Sequence, residues 1–447
     1  MENVQINIKI KNIRAIKNAN IILDGITVIS GENGSGKSTI SKLAYNLLKT
    51  SIEFDKIVDK KLNTELRNMY RTLDQLTRDL SYLVGNDEYL KIRNSFRRIY
   101  RSGSQLSLFK EDNSILNVID YLIDLFEEIS KGKDTSSSSI KRLDRINRIL
   151  RDSFYSEKVE EDSSITELLN GLKTLVNNSI KKTSKLKETR PISILNEKLD
   201  EAFSDAPIGK TFNIYEYGIP IIDRTNKKLI PIHTIQNVAY IDTPMIIGLE
   251  LNGERAHWND INNLLLNKSI NKINKSNNEI DSIFKEDVLK GDINIDDKEI
   301  SDKTFTYKRN DGEEFDLLEC ATGLKSFAIL QMLYKNGFLT NKTLLIIDEP
   351  EVHLHPQWVV EYARLIVLLH KKIGVKFLVA SHHPDMISAI KYISEKENAN
   401  SILHFYLANR IDDSYLYEYD DLGVEIEEIF SSFNIALERI DLYGGKE

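Results

Sequence analysis

The sequence has very little cysteine: Cys320 is the only one among 447 residues. One thiol excludes an intramolecular disulfide framework and a zinc site built from several cysteines. A chain without disulfides suits a reducing compartment. We therefore expect a cytoplasmic protein.

Long apolar runs are also missing, because no stretch approaches the roughly 20 residues that a membrane helix needs. The first residues alternate polar and apolar side chains and contain no apolar segment typical of secretion signals. We expect no membrane partner. The chain also lacks an excess of positive charge, since 60 Lys and Arg against 68 Asp and Glu give a formal charge of −8. This balance argues against a surface coated all over for nucleic acid.

What is present is an α/β alternation at the two ends of the chain. Residues 4–10 alternate with period 2, a second short strand precedes Gly31, and apolar residues at helical spacing follow the next loop. Residues 344–347 are an unbroken apolar run, as expected of a parallel strand covered on both faces. We predict one α/β domain from residues 1–50 and 229–447, with residues 51–228 as a mostly helical insertion.

The segment GENGSGKS at residues 31–38 fits the phosphate-loop pattern and lies between a predicted strand and a predicted helix. Its glycines let backbone N–H groups converge on phosphate oxygens, and the helix N-terminus adds partial positive charge. Lys37 can reach the β- and γ-phosphates, and Ser38 is expected to hold Mg²⁺. A glycine-rich turn without a ligand is disfavoured by the flanking strand and helix. The predicted ATP-binding residues are Gly31, Asn33, Gly34, Ser35, Gly36, Lys37, Ser38 and Thr39.

A second acidic element follows the apolar run at residues 344–347. A strand that ends in Asp348 can deliver a carboxylate to the metal beside a phosphate loop. Glu349 comes one residue later and can orient or deprotonate the attacking water. An acidic turn that merely closes a strand is common by itself but improbable beside a phosphate loop. The pair therefore favours hydrolysis over binding alone.

Together these residues resemble a known group of enzymes. Residues 348–356, DEPEVHLHP, look like the corresponding stretch of ABC-type ATPases in the OLD (overcoming lysogenization defect) and SMC-like group. Residues 321–326, ATGLKS, resemble the signature motif of these ATPases, and residues 381–384, SHHP, resemble their switch segment. Residues 12–14 resemble the Asn-Phe-basic stretch near the start of such heads. The resemblance covers the two ends of the chain and leaves the middle out.

The resemblance implies a P-loop NTPase fold of the ABC/SMC head type and a homodimer or higher homo-oligomer. In such heads the signature of one subunit contacts the nucleotide of another, which assigns that role to Thr322, Gly323 and Lys325. The familiar Ser-Gly-Gly is replaced here by Thr-Gly-Leu, although Thr322 still supplies a hydroxyl. His382 is expected to be the switch histidine. Arg14 is either a phosphate contact or a solvated residue at a strand end.

The implied catalytic residues are Lys37, Glu349 and His382, with Ser38 and Asp348 as ligands of Mg²⁺ and ATP as the substrate. His382 could instead be a core histidine bonded to the backbone. His353 and His355 follow the acidic strand end, but no third ligand accompanies them, so we favour a structural turn there.

The predicted insertion contains a more basic region. Residues 91–190 carry 20 Lys and Arg and 15 Asp and Glu, a net +5, whereas the rest of the chain carries −13. Basic residues recur near a helical turn: Lys141, Arg142, Arg145, Arg148 and Arg151. They indicate either an arm that contacts nucleic acid or an acidic partner, or an ordinary solvated helix face.

Two functions stay open at this point. OLD-group proteins often carry a TOPRIM nuclease, and the residues after His382 are too few for one. The leading interpretation is an ATPase that senses a trigger and regulates a separately encoded effector, expected to be a nuclease, as in nuclease-lacking ATPases of Septu- or PARIS-type antiphage systems. The alternative is a RecF-like or SMC-like DNA-repair ATPase that acts directly on DNA.

Overall fold

The computed structural model describes residues 5–84, 87–91, 93–94, 115–131, 137–152, 163–203, 211–247, 256–266, 278–297, 303–431 and 443. The chain divides into two compact units. One unit combines Met1–Ile52 with Pro191–Glu447, and the other is Glu53–Arg190. The first unit therefore contains both ends of the chain.

The described strands belong to three sheets, of which one is large. In chain order the strands are β1 (Ile6–Ile13), β2 (Ile16–Ile22), β3 (Ile26–Ser30), β4 (Phe212–Glu216), β5 (Ile219–Pro220), β6 (Ile222–Asp223), β7 (Lys228–Leu229), β8 (Asn237–Ile241), β9 (Gly291–Asp297), β10 (Lys303–Arg309), β11 (Glu314–Asp316), β12 (Thr343–Asp348), β13 (Lys376–Ala380), β14 (Leu403–Arg410) and β15 (Tyr417–Gly423).

Ten of these strands form a mixed sheet in the order β5-β4-β1-β2-β15-β14-β3-β13-β12-β8. The five strands from β14 to β8 in this order run parallel to one another. Every residue of β3, β12 and β13 is buried, as expected where helices cover both faces of a parallel sheet. Because the carboxyl ends of parallel strands meet at one edge, the segments after β3, β12 and β13 lie side by side. This sheet confirms the predicted α/β fold class.

The described helices are α1 (Lys37–Ile52), α2 (Phe54–Leu80), α3 (Ile115–Lys131), α4 (Ser137–Asp152), α5 (Ile165–Thr189), α6 (Ile192–Ala202), α7 (Ala256–Leu266), α8 (Asn278–Ser282, continued by a π-helix at Ile283–Val288), α9 (Thr322–Lys335), α10 (Pro356–Ile373) and α11 (Pro384–Lys396). Short 3₁₀ turns lie at Pro244–Ile246, Leu317–Glu319 and Asn400–Ile402. Within the described residues, none of these helices has the length and apolar character needed to span a membrane.

The second unit is a helical bundle of α2 to α5 with its own core. Helix α5 begins with a capping box, in which Ser164 accepts a hydrogen bond from the Glu167 N–H and the Glu167 carboxylate accepts one from the Ser164 N–H. The buried apolar residues of this core include Leu73, Leu76, Val118, Ile119, Leu122, Ile146, Leu150, Leu169, Leu172 and Val176.

The boundary of the helical unit differs from the expected insertion, which ran from residue 51 to residue 228. The compact unit ends at Arg190, and residues 191–228 group with the large sheet. The reason is β4, which pairs antiparallel with β1 and places Ile214 opposite Ile8. Phe212 and Ile214 are buried on alternate positions of β4, so this segment is part of the α/β unit.

Candidate active site

The loop between β3 and α1 has the backbone conformation of a phosphate loop. Gly34 and Gly36 have φ of +84° and +102°, values that residues other than glycine rarely adopt. A Cβ atom at Gly36 would lie 2.7 Å from Cγ1 of Ile16. Position 36 therefore requires glycine, both for its backbone conformation and because a Cβ atom would be too close to Ile16. Asn33 is exposed on this loop.

Lys37 begins α1 and turns back along the loop. Its Nζ donates hydrogen bonds to the carbonyl oxygens of Gly31 at 2.7 Å and Glu32 at 3.0 Å. Burial lowers the pKa of Lys37, and the nearby carboxylates of Glu349 and Asp348 act in the opposite direction. The loop thus holds a buried ammonium beside several carboxylates, where an incoming phosphate would compete for it.

Asp348 lies at the end of β12 and is buried. Its Oδ1 accepts a hydrogen bond from Ser41 Oγ at 2.5 Å, and its Oδ2 accepts one from the Tyr240 hydroxyl at 2.7 Å. Burial raises the pKa of Asp348, and hydrogen bonds from Ser41, Tyr240 and Ser38 oppose that rise. The two predicted metal ligands, Ser38 and Asp348, therefore lie near each other. A hydroxyl and a carboxylate oxygen are ligands that suit Mg²⁺ when phosphates and water complete its shell.

Glu349 follows in a left-handed backbone conformation, with φ of +47°. Its N–H donates to the carbonyl oxygen of Ala380 at 2.7 Å, which ties the end of β12 to the end of β13. Its Oε1 lies 3.6 Å from Nδ1 of His382. The strand order therefore brings the predicted catalytic acid and the predicted switch histidine together, because β13 lies between β3 and β12.

Several residues at this edge of the sheet were not anticipated from the sequence. Ser41 and Tyr240 bind Asp348, the Tyr419 hydroxyl donates to the carbonyl oxygen of Ser35 at 3.2 Å, and Glu351 binds the switch segment. Ser41 had a detectable signal, because it follows Lys37 by four residues on the same face of α1. No sequence pattern pointed to Tyr240 or Tyr419, because it is the order of strands in the sheet that places β8 and β15 near the site.

A polar cluster extends from Tyr240 toward α7. Asp242, directly after β8, accepts a hydrogen bond from Trp258 Nε1 at 2.7 Å and lies 2.9 Å from His257 Nε2. The His257 ring packs on that of Tyr240, with centroids 5.0 Å apart. The negative charge of Asp242 also contributes to the raised pKa of Asp348.

The predicted signature opens α9, but it does not meet the phosphate loop of the same chain. Thr322 begins the helix, and its Oγ1 lies 3.8 Å from Sδ of Met245. A Cβ atom at Gly323 would lie 3.2 Å from Leu354. The Lys325 ammonium donates to the Leu318 carbonyl oxygen at 2.6 Å and is buried. In the described part of the chain, no hydrogen bond or ion pair joins these residues to residues 31–38.

Arg14 and Thr39 occupy less central positions. Arg14 lies in the turn between β1 and β2, where its guanidinium packs on Phe203 with 5.0 Å between Cζ and the ring centroid. It makes no hydrogen bond to the phosphate loop among the described residues. Thr39 is half-buried in the first turn of α1.

The basic series on α4 is largely engaged within the helical unit. Arg142 packs over the ring of Tyr82 at 3.8 Å, and Arg145 lies 3.4 Å from Asp79. Arg151 donates to Asn147 at 2.8 Å. Lys141, Arg145 and Arg148 are exposed, so the geometry favours a solvated helix face.

The match to a protein-family model agrees with the predicted fold class. A family model described as an AAA ATPase domain matches residues 6–387. Similar solved structures include an Smc head domain from Pyrococcus furiosus, with an extended coiled coil and bound to the C-terminal domain of ScpA, at 10% identity and a TM-score of 0.34, covering 97% of this chain and 98% of that one. An Smc head domain from Pyrococcus yayanosii has 12% identity and a TM-score of 0.37, and the match covers 96% of this chain and 99% of that one. The SMC head domain from Thermotoga maritima has 10% identity and a TM-score of 0.35, and the match covers 93% of this chain and 98% of that one. No curated protein matches the sequence.

Proposed function

Because this chain belongs to the AAA ATPase domain family and is an ATPase, we propose that its ATP cycle regulates a separately encoded effector, expected to be a nuclease, in a bacterial antiviral defence system. One observation carries the catalytic part of the proposal. The ends of three neighbouring parallel strands bring together the phosphate loop with Lys37, the buried Asp348, and the pair Glu349 and His382.

Each of these groups has a task in hydrolysis. The loop amides and Lys37 bind the phosphates, and Ser38 with Asp348 hold the metal. Mg²⁺ bound there would neutralise charge on the phosphates. Glu349 orients the attacking water, and His382 lies beside it to contact the terminal phosphate. Because the protein itself does little covalent chemistry in phosphoryl transfer, positioning and charge stabilisation supply most of the rate enhancement.

We propose that a second copy of the chain completes the site. The N-terminus of α9 has no side-chain cap. The Leu324 N–H already donates to the Ala321 carbonyl oxygen, so in the described part of the chain the N–H groups of Thr322 and Gly323 remain for an anion. Thr322 and Gly323 lie at this helix end and do not bind the phosphate loop of their own chain. Closure of two heads on ATP would place the α9 N-terminus of one copy against the γ-phosphate of the other, and hydrolysis would reopen them.

The effector belongs to another chain in this proposal. The acids between residues 412 and 428 flank β15, which is a strand of the ATPase sheet, so within the described residues they do not build a second α/β domain of nuclease type. The resemblance of residues 348–356 to OLD-group ATPases supports the defence role. Direct action on DNA has less support, because most of the α4 arginines bind within their own unit.

Two variants test the ATP-driven dimer. Glu349→Gln is expected to bind ATP without hydrolysing it and to accumulate as a dimer, measured by size-exclusion chromatography with light scattering. Lys37→Ala is expected to lose nucleotide binding and to stay monomeric with ATP. Glu349→Gln that turns over ATP like wild type would remove Glu349 from its role.

The proposed biological role has to be tested in the native host. Copurification with the product of a neighbouring gene, together with phage resistance that Lys37→Ala abolishes, would support the regulatory proposal. Turnover that DNA stimulates strongly and high salt suppresses, with no copurifying protein, would instead favour a DNA-repair ATPase.

A further inference from the structure

Glu351 is a buried carboxylate with an unused oxygen. Its side chain is only 3% exposed. Oε1 accepts hydrogen bonds from Ser381 Oγ at 2.8 Å and from the His382 N–H at 3.3 Å. Oε2 is buried and has no hydrogen-bond partner among the described residues. Leaving such an acceptor unpaired is unfavourable, so a buried carboxylate in this state points to a further donor.

A donor faces the same carboxylate at its other oxygen, Oε1. Nδ1 of His382 is also buried and without a hydrogen-bond partner in the described part of the chain. It lies 3.8 Å from Oε1 of Glu351 and 3.6 Å from Oε1 of Glu349. A shift of about 1 Å would bring either contact to hydrogen-bond distance. Two carboxylates therefore face one ring nitrogen.

The two carboxylates are not equivalent partners. Glu349 is 39% exposed, and its proposed task is to orient the attacking water. Glu351 is buried and already accepts a hydrogen bond from the His382 N–H, so its carboxylate is held beside this residue. A buried carboxylate bonded to Nδ1 sets the tautomer and the orientation of an imidazole.

We propose that Glu351 is a positioning residue for ATP hydrolysis: it holds the proton of His382 on Nδ1 and so turns Nε2 toward the terminal phosphate and the attacking water. With its proton on Nδ1, the ring accepts a hydrogen bond at Nε2, and a second proton would let Nε2 donate one to a phosphate oxygen. In this arrangement Glu349 remains available to orient the attacking water. This inference rests on the nucleotide site proposed above.

A double-mutant cycle tests the assignment. Glu351→Gln keeps the size of the side chain and an acceptor for Ser381, but it removes the anionic partner of Nδ1. We expect its kcat to fall about 10- to 100-fold, with KM for ATP within about twofold and binding of a fluorescent ATP analogue unchanged. In a His382→Ala background, Glu351→Gln is expected to lower kcat no further, because the two residues act as one unit.

Three results would overturn the proposal: wild-type turnover in Glu351→Gln, losses that multiply in the double variant, or loss of nucleotide binding together with turnover. Glu351→Asp keeps the charge and is expected to retain more turnover than the Gln variant, and the reverse order would also contradict it. Glu397→Gln is the matched control, since Glu397 forms its ion pair with Lys371 on the surface. A wild-type chain that neither binds nor hydrolyses ATP would refute the nucleotide site itself, whereas a failure confined to Glu351→Gln bears on Glu351 alone.

Discussion

Replacing Tyr240 with Phe removes one hydroxyl from the most enclosed part of the site. That hydroxyl donates to Oδ2 of Asp348 at 2.7 Å, while Ser41 donates to Oδ1. A hydrogen bond to a charged group contributes about 1.5–3 kcal/mol. Asp348 is buried, so water does not readily replace the lost donor. We therefore expect Tyr240→Phe to lower the free energy of unfolding by about 2 kcal/mol at neutral pH.

The same substitution acts on the pKa of Asp348. Burial raises this pKa, and the bond from Tyr240 is one of the contacts that oppose the rise. Without it the native pKa moves further up. Because the native pKa lies above the unfolded one, the destabilisation by the buried charge builds up as the pH rises past the unfolded pKa and is complete above the native pKa. A further rise of the native pKa in the variant therefore costs stability only above the native pKa of the wild type. The stability difference between variant and wild type is therefore expected to shrink on acidification, and the acidic limb of turnover to move to higher pH.

Urea denaturation over a pH series and the Mg²⁺ dependence of turnover measure these effects. Tyr45→Phe is the matched control: Tyr45 packs 5.8 Å from Tyr240 between ring centroids, but its hydroxyl donates to Asp260. The control is expected to need no additional Mg²⁺, whereas Tyr240→Phe is expected to need several times more. Equal behaviour of the two variants would refute the role of the Tyr240 hydroxyl, as would a Tyr240→Phe chain of wild-type stability.

Three further substitutions are tested by chemical denaturation. Gly36→Ala is expected to destabilise by about 1–3 kcal/mol more than Gly312→Ala, because both positions have positive φ but only Gly36 has a close neighbour for a Cβ atom; equal losses would argue against the clash. The Glu349→Gly variant is expected to be about 1 kcal/mol more stable than the Glu349→Ala variant, because residue 349 has a left-handed backbone conformation. At Glu361, inside α10, the Ala variant is expected to be the more stable of the pair by about the same amount. The same order at both sites would contradict strain at Glu349. Leu122→Ala, at a fully buried position of the helical unit, is expected to cost about 2–5 kcal/mol, and an unchanged transition would show that this core is not cooperative.

The fold class could be predicted because its signals are local. The phosphate loop needs only residues 31–38 with a strand before and a helix after. The apolar run at residues 344–347 and the similar run that became β13 are the expected form of doubly covered parallel strands. Such patterns depend on burial on both faces and on little else, so the sequence alone indicates one sheet made from both chain ends.

The boundary of the insertion and the supporting residues of the site depend on pairings that the sequence does not state. Phe212 and Ile214 alternate as a strand should, but only the pairing of β4 with β1 assigns them to the large sheet. Tyr240 reaches Asp348 because β8 lies next to β12. Glu351 meets His382 because β13 neighbours β12. Each of these contacts joins segments whose adjacency is a property of the sheet order.

Residues 348–351 place three carboxylates in three different environments. Asp348 is buried and binds two hydroxyls, Glu349 is partly exposed beside His382, and Glu351 is buried against the switch segment. All three carboxylates oppose the lowering of the pKa of Lys37 by burial. One ammonium cannot balance three carboxylates in a poorly hydrated site, and a triphosphate alone would add negative charge. A divalent cation that arrives with the nucleotide would restore the balance, so we expect ATP with its metal to bind better than ATP alone.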